Sequence, residues 1–182
     1  MKKLTWQVLE SEYILENNFF KVRKDLCINH DNVVLPPYYV SEYANWVAAI
    51  VKTTDNKYIL ERSYRHALGK IHLEIPAGCV DATDTNFETA IQRELLEETG
   101  YFFDKFEYLG NTSANPATNN NLMHFFYAEN GVYKQEPSLE IGESFELIFV
   151  SLQELIQHLL NNQFIQSLHI TALFTFLIKK GF

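Results

Sequence analysis

Cysteine, proline and glycine are scarce in this chain: two, five and seven among 182 residues. Cys27 and Cys79 cannot build a disulfide framework, and neither stands in a CxxC or a Cys/His cluster of metal spacing. Two reduced thiols of a cytosolic protein are expected. No low-complexity tract appears, and no apolar run is long enough to span a bilayer. The longest, Ile170 to Ile178, contains Thr171 and Thr175 and is about half the length a membrane requires, so it reads as a buried helix. Met1-Lys2-Lys3-Leu4 has the charges of a signal sequence, but Thr5, Gln7, Glu10 and Glu12 leave no apolar segment behind them. Secretion is not expected. Positive charge is short as well: 15 Lys and Arg against 23 Asp and Glu give a formal charge of −8. That balance argues against a nucleic-acid binder that works by neutralising phosphates, and the segment after Val150 carries too few cations for an attached DNA-recognition domain.

What is abundant is core material. Hydrophobic residues make up 47 % of the chain, with 14 Phe and 10 Tyr. A chain of this length buries roughly 70 % of its unfolded surface and needs no staple. Apolar or alternating runs at Leu4 to Leu9, Phe19 to Ile28, Val33 to Tyr43, Ile71 to Ile75, Lys105 to Leu109, Leu122 to Ala128 and Phe145 to Val150 predict strands. Trp46 to Val51 and Tyr58 to Tyr64, joined by Thr54-Asp55-Asn56-Lys57, predict a hairpin. Helices are predicted from about Asn86 to Thr99, from Ser151 to about Leu160, and from Phe164 to Lys179. Thr85 with Glu88, and Ser151 with Glu154, have capping-box spacing, and Gly100 can close the first helix. Strands outnumber helices in mixed order, which predicts an α+β domain with helices packed on a mixed sheet.

The first helix carries the chemistry. Glu94, Glu97 and Glu98 stand at i, i+3 and i+4 and so share one face, where they repel one another. A solvated acidic face is the ordinary reading of three such glutamates. Here, however, the helix is entered from Leu73-Glu74-Ile75-Pro76-Ala77-Gly78, a strand and sharp turn that add a fourth carboxylate and backbone carbonyls. Clustered oxygen ligands of this kind suit a hard divalent ion such as Mg²⁺.

The segment Gly78-Cys79-Val80-Asp81-Ala82-Thr83-Asp84, followed by Arg93-Glu94-Leu95-Leu96-Glu97-Glu98-Thr99-Gly100-Tyr101, closely resembles the signature of the Nudix hydrolases. The second half matches at every position. In the first half Asp84 stands where the family has Glu, and eight residues rather than seven separate it from Arg93. A loop before the helix can absorb the extra residue without rotating the glutamates. Arg62-Ser63-Tyr64-Arg65, the run Leu73 to Gly78, Pro116 and the acidic stretch Leu139 to Glu146 look similar to elements of the ADP-ribose pyrophosphatase branch. After Pro116 the chain departs from that branch, reading Ala117-Thr118-Asn119-Asn120-Asn121.

The resemblance implies a mixed sheet packed between helices, an α/β/α sandwich over residues 46–182. It adds extra N-terminal strands in 1–45 that serve a homodimer. It implies hydrolysis of the pyrophosphate of a nucleoside diphosphate linked to a further group, ADP-ribose or a nucleotide sugar foremost, with Mg²⁺ or Mn²⁺ as cofactor. ADP-ribose would give AMP and ribose 5-phosphate. Glu94 and Glu98 are the implied metal ligands, with Glu97 as a further ligand or water-positioning base and the carbonyl of Ala77 as a backbone ligand. Arg93 would orient a glutamate. Glu143, then Glu140, are candidates for the general base from the loop before the last strand. Glu74 would orient Arg93, touch a metal through water, or be a plain strand glutamate.

Substrate contacts are expected from Arg65, whose guanidinium can hold two phosphate oxygens, and from Tyr39 or Trp46 as a stacking ring. Asn115 and Pro116 would shape the substrate loop. Partners are then a small nucleotide and a second copy of the chain, with no nucleic acid and no membrane. Another nucleotide substrate, or a non-catalytic nucleotide-binding module prompted by the altered Asp84 segment, are the competing readings. The charge is also unevenly spread. Residues 74–98 carry −6 and residues 129–154 carry −5, while the remainder sums to +3. Such acidic segments need cations before a phosphate can approach.

Overall fold

The computed structural model describes residues 4–139, 142 and 144–182. Contacts group the chain into two units, Met1–Ala44 with Ser113–Asn121, and Asn45–Thr112 with Leu122–Phe182.

The first unit is an antiparallel sheet of β1 (Gln7–Glu16), β2 (Lys21–Ile28) and β3 (Tyr38–Glu42), in that order. β1 extends well past the expected run Leu4 to Leu9, because its second half is held by cross-strand polar pairs. Lys24 meets Glu12 at 2.6 Å, Lys21 meets Glu16 at 2.7 Å, and Ser11 donates to Asp25 at 2.6 Å. All ten residues of β1 are exposed, so no burial alternation marks the strand in the sequence. β3 occupies only the end of the expected run Val33 to Tyr43. The segment 113–121 belongs here through backbone bonds such as Ser41 N–H to the Thr118 carbonyl, 2.7 Å.

In the second unit β4 (Trp46–Thr53) is the central strand. It runs parallel to β10 (Met123–Tyr133) along one edge. The hairpin expected with β5 (Tyr58–Arg65) forms only at its turn, where Asn56 has φ 61° and Lys52 faces Tyr58. Beyond that point the two strands part, and β7 (Ala77–Cys79) takes up the edge of β4, with Ala48 opposite Ala77 and Trp46 opposite Cys79. Ala49 N–H donates to the Pro76 carbonyl at 3.0 Å, so the backbone groups released by β5 are satisfied by the turn itself. β5 instead pairs with β6 (Lys70–Glu74) and β11 (Phe145–Val150). β8 (Tyr101–Phe102) and β9 (Glu107–Thr112) pair with β10.

Both faces of this sheet are covered. Ala48 and Ile50 share a core with Leu155 of α2 (Leu152–Leu160) and with Leu173 and Phe176 of α3 (Ser167–Lys180). Val47, Ala49 and Val51 share another with Ala90, Ile91 and Leu95 of α1 (Phe87–Thr99). A strand buried on both faces reads as a continuous apolar run, which is what Val47 to Val51 shows. The expected α/β/α layering is present.

Two helix starts differ from expectation. The capping box of α1 is Asn86 with Thr89, not Thr85 with Glu88: Asn86 Oδ1 accepts the Thr89 N–H at 2.9 Å, and Thr89 Oγ1 accepts the Asn86 N–H at 3.1 Å. α3 begins at Ser167 and not Phe164, because Phe164 is drawn into a bridge with Leu73. Gly100 closes α1 at φ 75° as expected, and Ser151 with Glu154 caps α2. Among the described residues no helix is long and apolar enough to cross a membrane.

Candidate active site

A cavity of about 650 Å³ opens in the second unit, within the usual range for a ligand of nucleotide size. Part of its wall is Ala77, Gly78, Cys79 and α1; β5 and the start of α3 contribute Glu61, Ser63, Arg65, Gln166 and His169.

α1 buries one face, and that face is apolar at Ile91 and Leu95 but acidic at Glu94 and Glu98, which are 9 % and 5 % exposed. Two carboxylates at i and i+4 on a buried face are unfavourable unless something compensates them. Glu98 Oε2 accepts the Ala77 N–H at 3.3 Å. The Glu94 carboxylate fills the space above Gly78, where a Cβ would come within 2.0 Å of its Cδ. Arg93 supplies the nearest cation, with one terminal nitrogen 3.0 Å from both Glu94 Oε1 and Glu97 Oε2. Its other terminal nitrogen donates to the Cys79 carbonyl at 2.9 Å and to Asp84 Oδ2 at 3.0 Å.

Arg93 therefore orients Glu94 and Glu97, and Asp84 in turn anchors Arg93 despite its shorter side chain and the extra residue. The Asp84 hydrogen bonds raise the Arg93 pKa, and the same bonds hold the Asp84 carboxyl below its ordinary value. Among the described residues no three acidic, histidine or cysteine side chains are gathered into a ready metal cluster. The carboxylates are held instead by Arg93 and by the Ala77 N–H. The donor set nevertheless fits a hard divalent cation, since Glu94, Glu97, Glu98 and the Ala77 carbonyl offer only oxygen, and the bare Cα of Gly78 keeps room for the Glu94 carboxylate.

A second charged cluster reaches the cavity through Arg65, which is half exposed, while its partners Glu74 and His72 are buried. Arg65 grips Glu74 with Nε to Oε1 at 2.9 Å and a terminal nitrogen to Oε2 at 2.5 Å, while His72 Nε2 lies 2.7 Å from Glu74 Oε1. Glu74 thus orients Arg65 and His72. The expectation that it would orient Arg93 or be a plain strand glutamate is corrected, because β6 lies beside β5 and delivers Glu74 to the residue at the end of that strand. Burial pushes the Glu74 carboxyl up, but the Arg65 hydrogen bonds and positive charge outweigh it and leave the group below its ordinary value. His169, 3 % exposed, is pushed down to about 4 by burial, against the opposing charge of Glu74.

Of the other expected residues, Trp46 lines the cavity. Tyr39 is half exposed on β3 of the first unit, and Asn115 and Pro116 lie in the 113–121 segment of that unit, where Asn115 Oδ1 accepts the Ala117 N–H at 3.2 Å. Glu140 and Glu143 lie outside the described residues. Sequence reading missed Glu61, Ser63, Gln166 and His169. Glu61 had a signal, a charge at an inward position right after Tyr58-Ile59-Leu60; His169 had almost none, being one of several polar residues spread along an otherwise apolar helix.

Two family models match the chain: the NUDIX domain over residues 44–172, and the nucleoside diphosphate sugar hydrolase N-terminal domain over residues 6–41. The methanol dehydrogenase activator of Bacillus methanolicus is 33 % identical over 136 residues, 71 % of this chain and 72 % of its own length. The ADP-ribose pyrophosphatase of Bacillus subtilis (strain 168) is 30 % identical over 112 residues, 61 % of this chain and 60 % of its own. A crystal structure of an ADP compounds hydrolase superimposes with a TM-score of 0.82 at 22 % identity, covering 100 % of this chain and 99 % of that one, a likeness of fold.

Proposed function

The chain belongs to the NUDIX family and is a pyrophosphohydrolase, and from that premise we propose that it hydrolyses ADP-ribose or a closely related nucleoside diphosphate sugar with the help of Mg²⁺. The observation that carries this reading is the pair Glu94 and Glu98, buried at the wall of a nucleotide-sized cavity and set against the backbone of Ala77 and Gly78. With ADP-ribose, water adds to one phosphorus of the pyrophosphate and the bridging P–O bond breaks, giving AMP and ribose 5-phosphate.

Glu94, Glu98, Glu97 and the Ala77 carbonyl would hold the divalent ion, which supplies Lewis acidity at the pyrophosphate and a more acidic water. Arg93 fixes the carboxylates it bridges and limits their rotamers. Glu97 is the most exposed of the three, its side chain 43 % exposed, and in this reading it would position water and take its proton. Glu143 and Glu140 remain candidates for that base. Arg65 spends two of its five N–H donors on Glu74, which leaves three for phosphate oxygens, held in a fixed plane.

The protein acts as a homodimer in this reading. β1 is an edge strand whose side chains include Val8, Leu9, Tyr13, Ile14 and Leu15, all roughly half exposed, and exposed apolar edges are commonly covered by association. Cys27 and Cys79 are free thiols, in keeping with a cytoplasmic protein. The altered Asp84 segment, the ground for a non-catalytic module, retains the contact with Arg93. Incubation of the purified protein and Mg²⁺ with ADP-ribose, other nucleotide sugars, dinucleotides and nucleoside triphosphates tests the proposal. AMP and ribose 5-phosphate are the expected products; ADP-ribose that binds and stays intact would overturn it.

A further inference from the structure

Part of the cavity wall has no task in phosphate chemistry. Glu61 and Ser63 of β5 are 3 % and 6 % exposed, His169 of α3 is 3 % exposed, and all three line the cavity beside Gln166. Each lies on an element that otherwise builds core: Glu61 follows Tyr58, Ile59 and Leu60, and His169 follows Leu168 and precedes Ala172 and Leu173. Polar groups placed among such neighbours are unfavourable without hydrogen bonds. His169 Nδ1 has none among the described residues. Burial also keeps the His169 ring neutral near pH 7.

The chemistry of this wall selects its ligand. A neutral imidazole offers one donor and one acceptor, a serine hydroxyl offers both, and a carboxyl group accepts. A sugar hydroxyl, itself donor and acceptor, can pair with any of them. None of the three is a cation that would hold a phosphate, and the cavity's large rings, Trp46, Tyr64 and Phe145, are not among them. Glu61, Ser63 and Arg65 alternate along one face of β5, so each step is about 7 Å, a reach that a sugar attached to a phosphate spans. Arg65 therefore stands at the phosphate end of the row and Glu61 at the hydroxyl end.

We propose that Glu61, Ser63 and His169 form a hydroxyl-reading wall for the sugar on the second phosphate, so that these three side chains supply the preference for a sugar over a bare ester at that position. This rests on the reading of the cavity as a nucleoside diphosphate site. The test compares ADP-ribose with the methyl ester of ADP, which keeps the adenosine and the pyrophosphate but lacks the sugar. Dissociation constants are measured by calorimetry in Ca²⁺, with chromatography confirming intact ligand, for the wild type, His169→Phe and Glu61→Gln. Melting curves check that each variant is folded.

The wild type is expected to bind ADP-ribose at least about tenfold more tightly than the methyl ester, and each variant to lose about tenfold in that ratio, the loss of one hydrogen bond to a buried partner. A wild type without the preference, variants that weaken both ligands in equal proportion, or an unchanged ratio would each overturn the wall, as would binding of neither ligand. Should His169→Phe fail to fold, the near-isosteric Glu61→Gln decides alone. Failure of the hydrolase reading is visible separately, as ADP-ribose that survives Mg²⁺ while the preference persists.

Discussion

The Glu94 carboxylate occupies the place that a side chain on Gly78 would take: a Cβ built there lies 2.0 Å from Glu94 Cδ and 2.2 Å from its Oε1. β7 and α1 are thereby packed so that a missing methyl on one element positions an acid on the other. Gly78 sits in an ordinary strand, so alanine is tolerated by its backbone and only the flexible end of Glu94 must move. Gly78→Ala should thus cost little stability, a melting temperature within a few degrees of wild type, while lowering kcat/KM by about 10²-fold through a displaced ligand. Paired calorimetric melting and Mg²⁺-dependent kinetics check this. A large fall in melting temperature would show that the contact is structural instead.

Glu98→Gln keeps the shape of the side chain and an oxygen for the Ala77 N–H, but removes the charge. Metal-dependent turnover should fall by at least about 10²-fold, as several kcal/mol of transition-state stabilisation are lost, with the fold intact. Undiminished turnover would exclude Glu98 as a ligand.

Asp84 reaches the glutamates through Arg93, to which it gives two contacts, 3.3 Å to Nε and 3.0 Å to a terminal nitrogen, and it also accepts the Asp81 N–H at 2.8 Å. Asp84→Ala should lower kcat more than it raises KM, and destabilise by about 1 kcal/mol, the range of a charged hydrogen bond reduced by the partial exposure of Arg93. Urea unfolding with steady-state kinetics reads both quantities. Asp84→Asn, which can still accept from Arg93, should recover part of the loss.

If β1 is covered by a second copy, sedimentation at micromolar concentration gives a dimer. Placing a charge in the exposed apolar row, as in Leu9→Lys, should shift the species to monomer without unfolding the second unit. A wild-type monomer at all concentrations would remove the dimer.

Acid should destabilise the protein in a defined window. The His169 pKa lies at about 4 in the fold against an ordinary 6.5, so between those values the unfolded chain binds a proton that the folded one does not. Stability is therefore complete above about 6.5 and declines as pH falls toward 4, by up to about 3 kcal/mol. Glu74, held below its ordinary value, continues the loss at lower pH. Melting temperatures of His169→Gln from pH 7 to 4.5 should fall less steeply than those of the wild type; parallel curves would contradict the assignment.

Local chemistry made much of this legible. Ser151 with Glu154, Gly100 past the end of α1, and the strand Phe145–Val150 are specified by residues adjacent in the chain, and the structure places them as read. The cap of α1 was one residue off because Thr85, Asn86 and Thr89 all carry capping oxygens, and only the actual entry angle of the chain selects among them. β1 was displaced because a wholly exposed strand leaves no periodic trace.

The sequence by itself determined the carboxylate helix, its face of Glu94, Glu97 and Glu98, and the family to which such a helix belongs, since spacing along one helix fixes which side chains share a surface. Only the tertiary structure decided what surrounds that face. The parting of β4 from β5 brings Gly78 under Glu94, the pairing of β6 with β5 hands Glu74 to Arg65 and not to Arg93, and the packing of α3 brings His169 to the cavity. Those relations join residues far apart in the chain, and they follow from which backbone edges and apolar faces find one another, a choice no local pattern encodes.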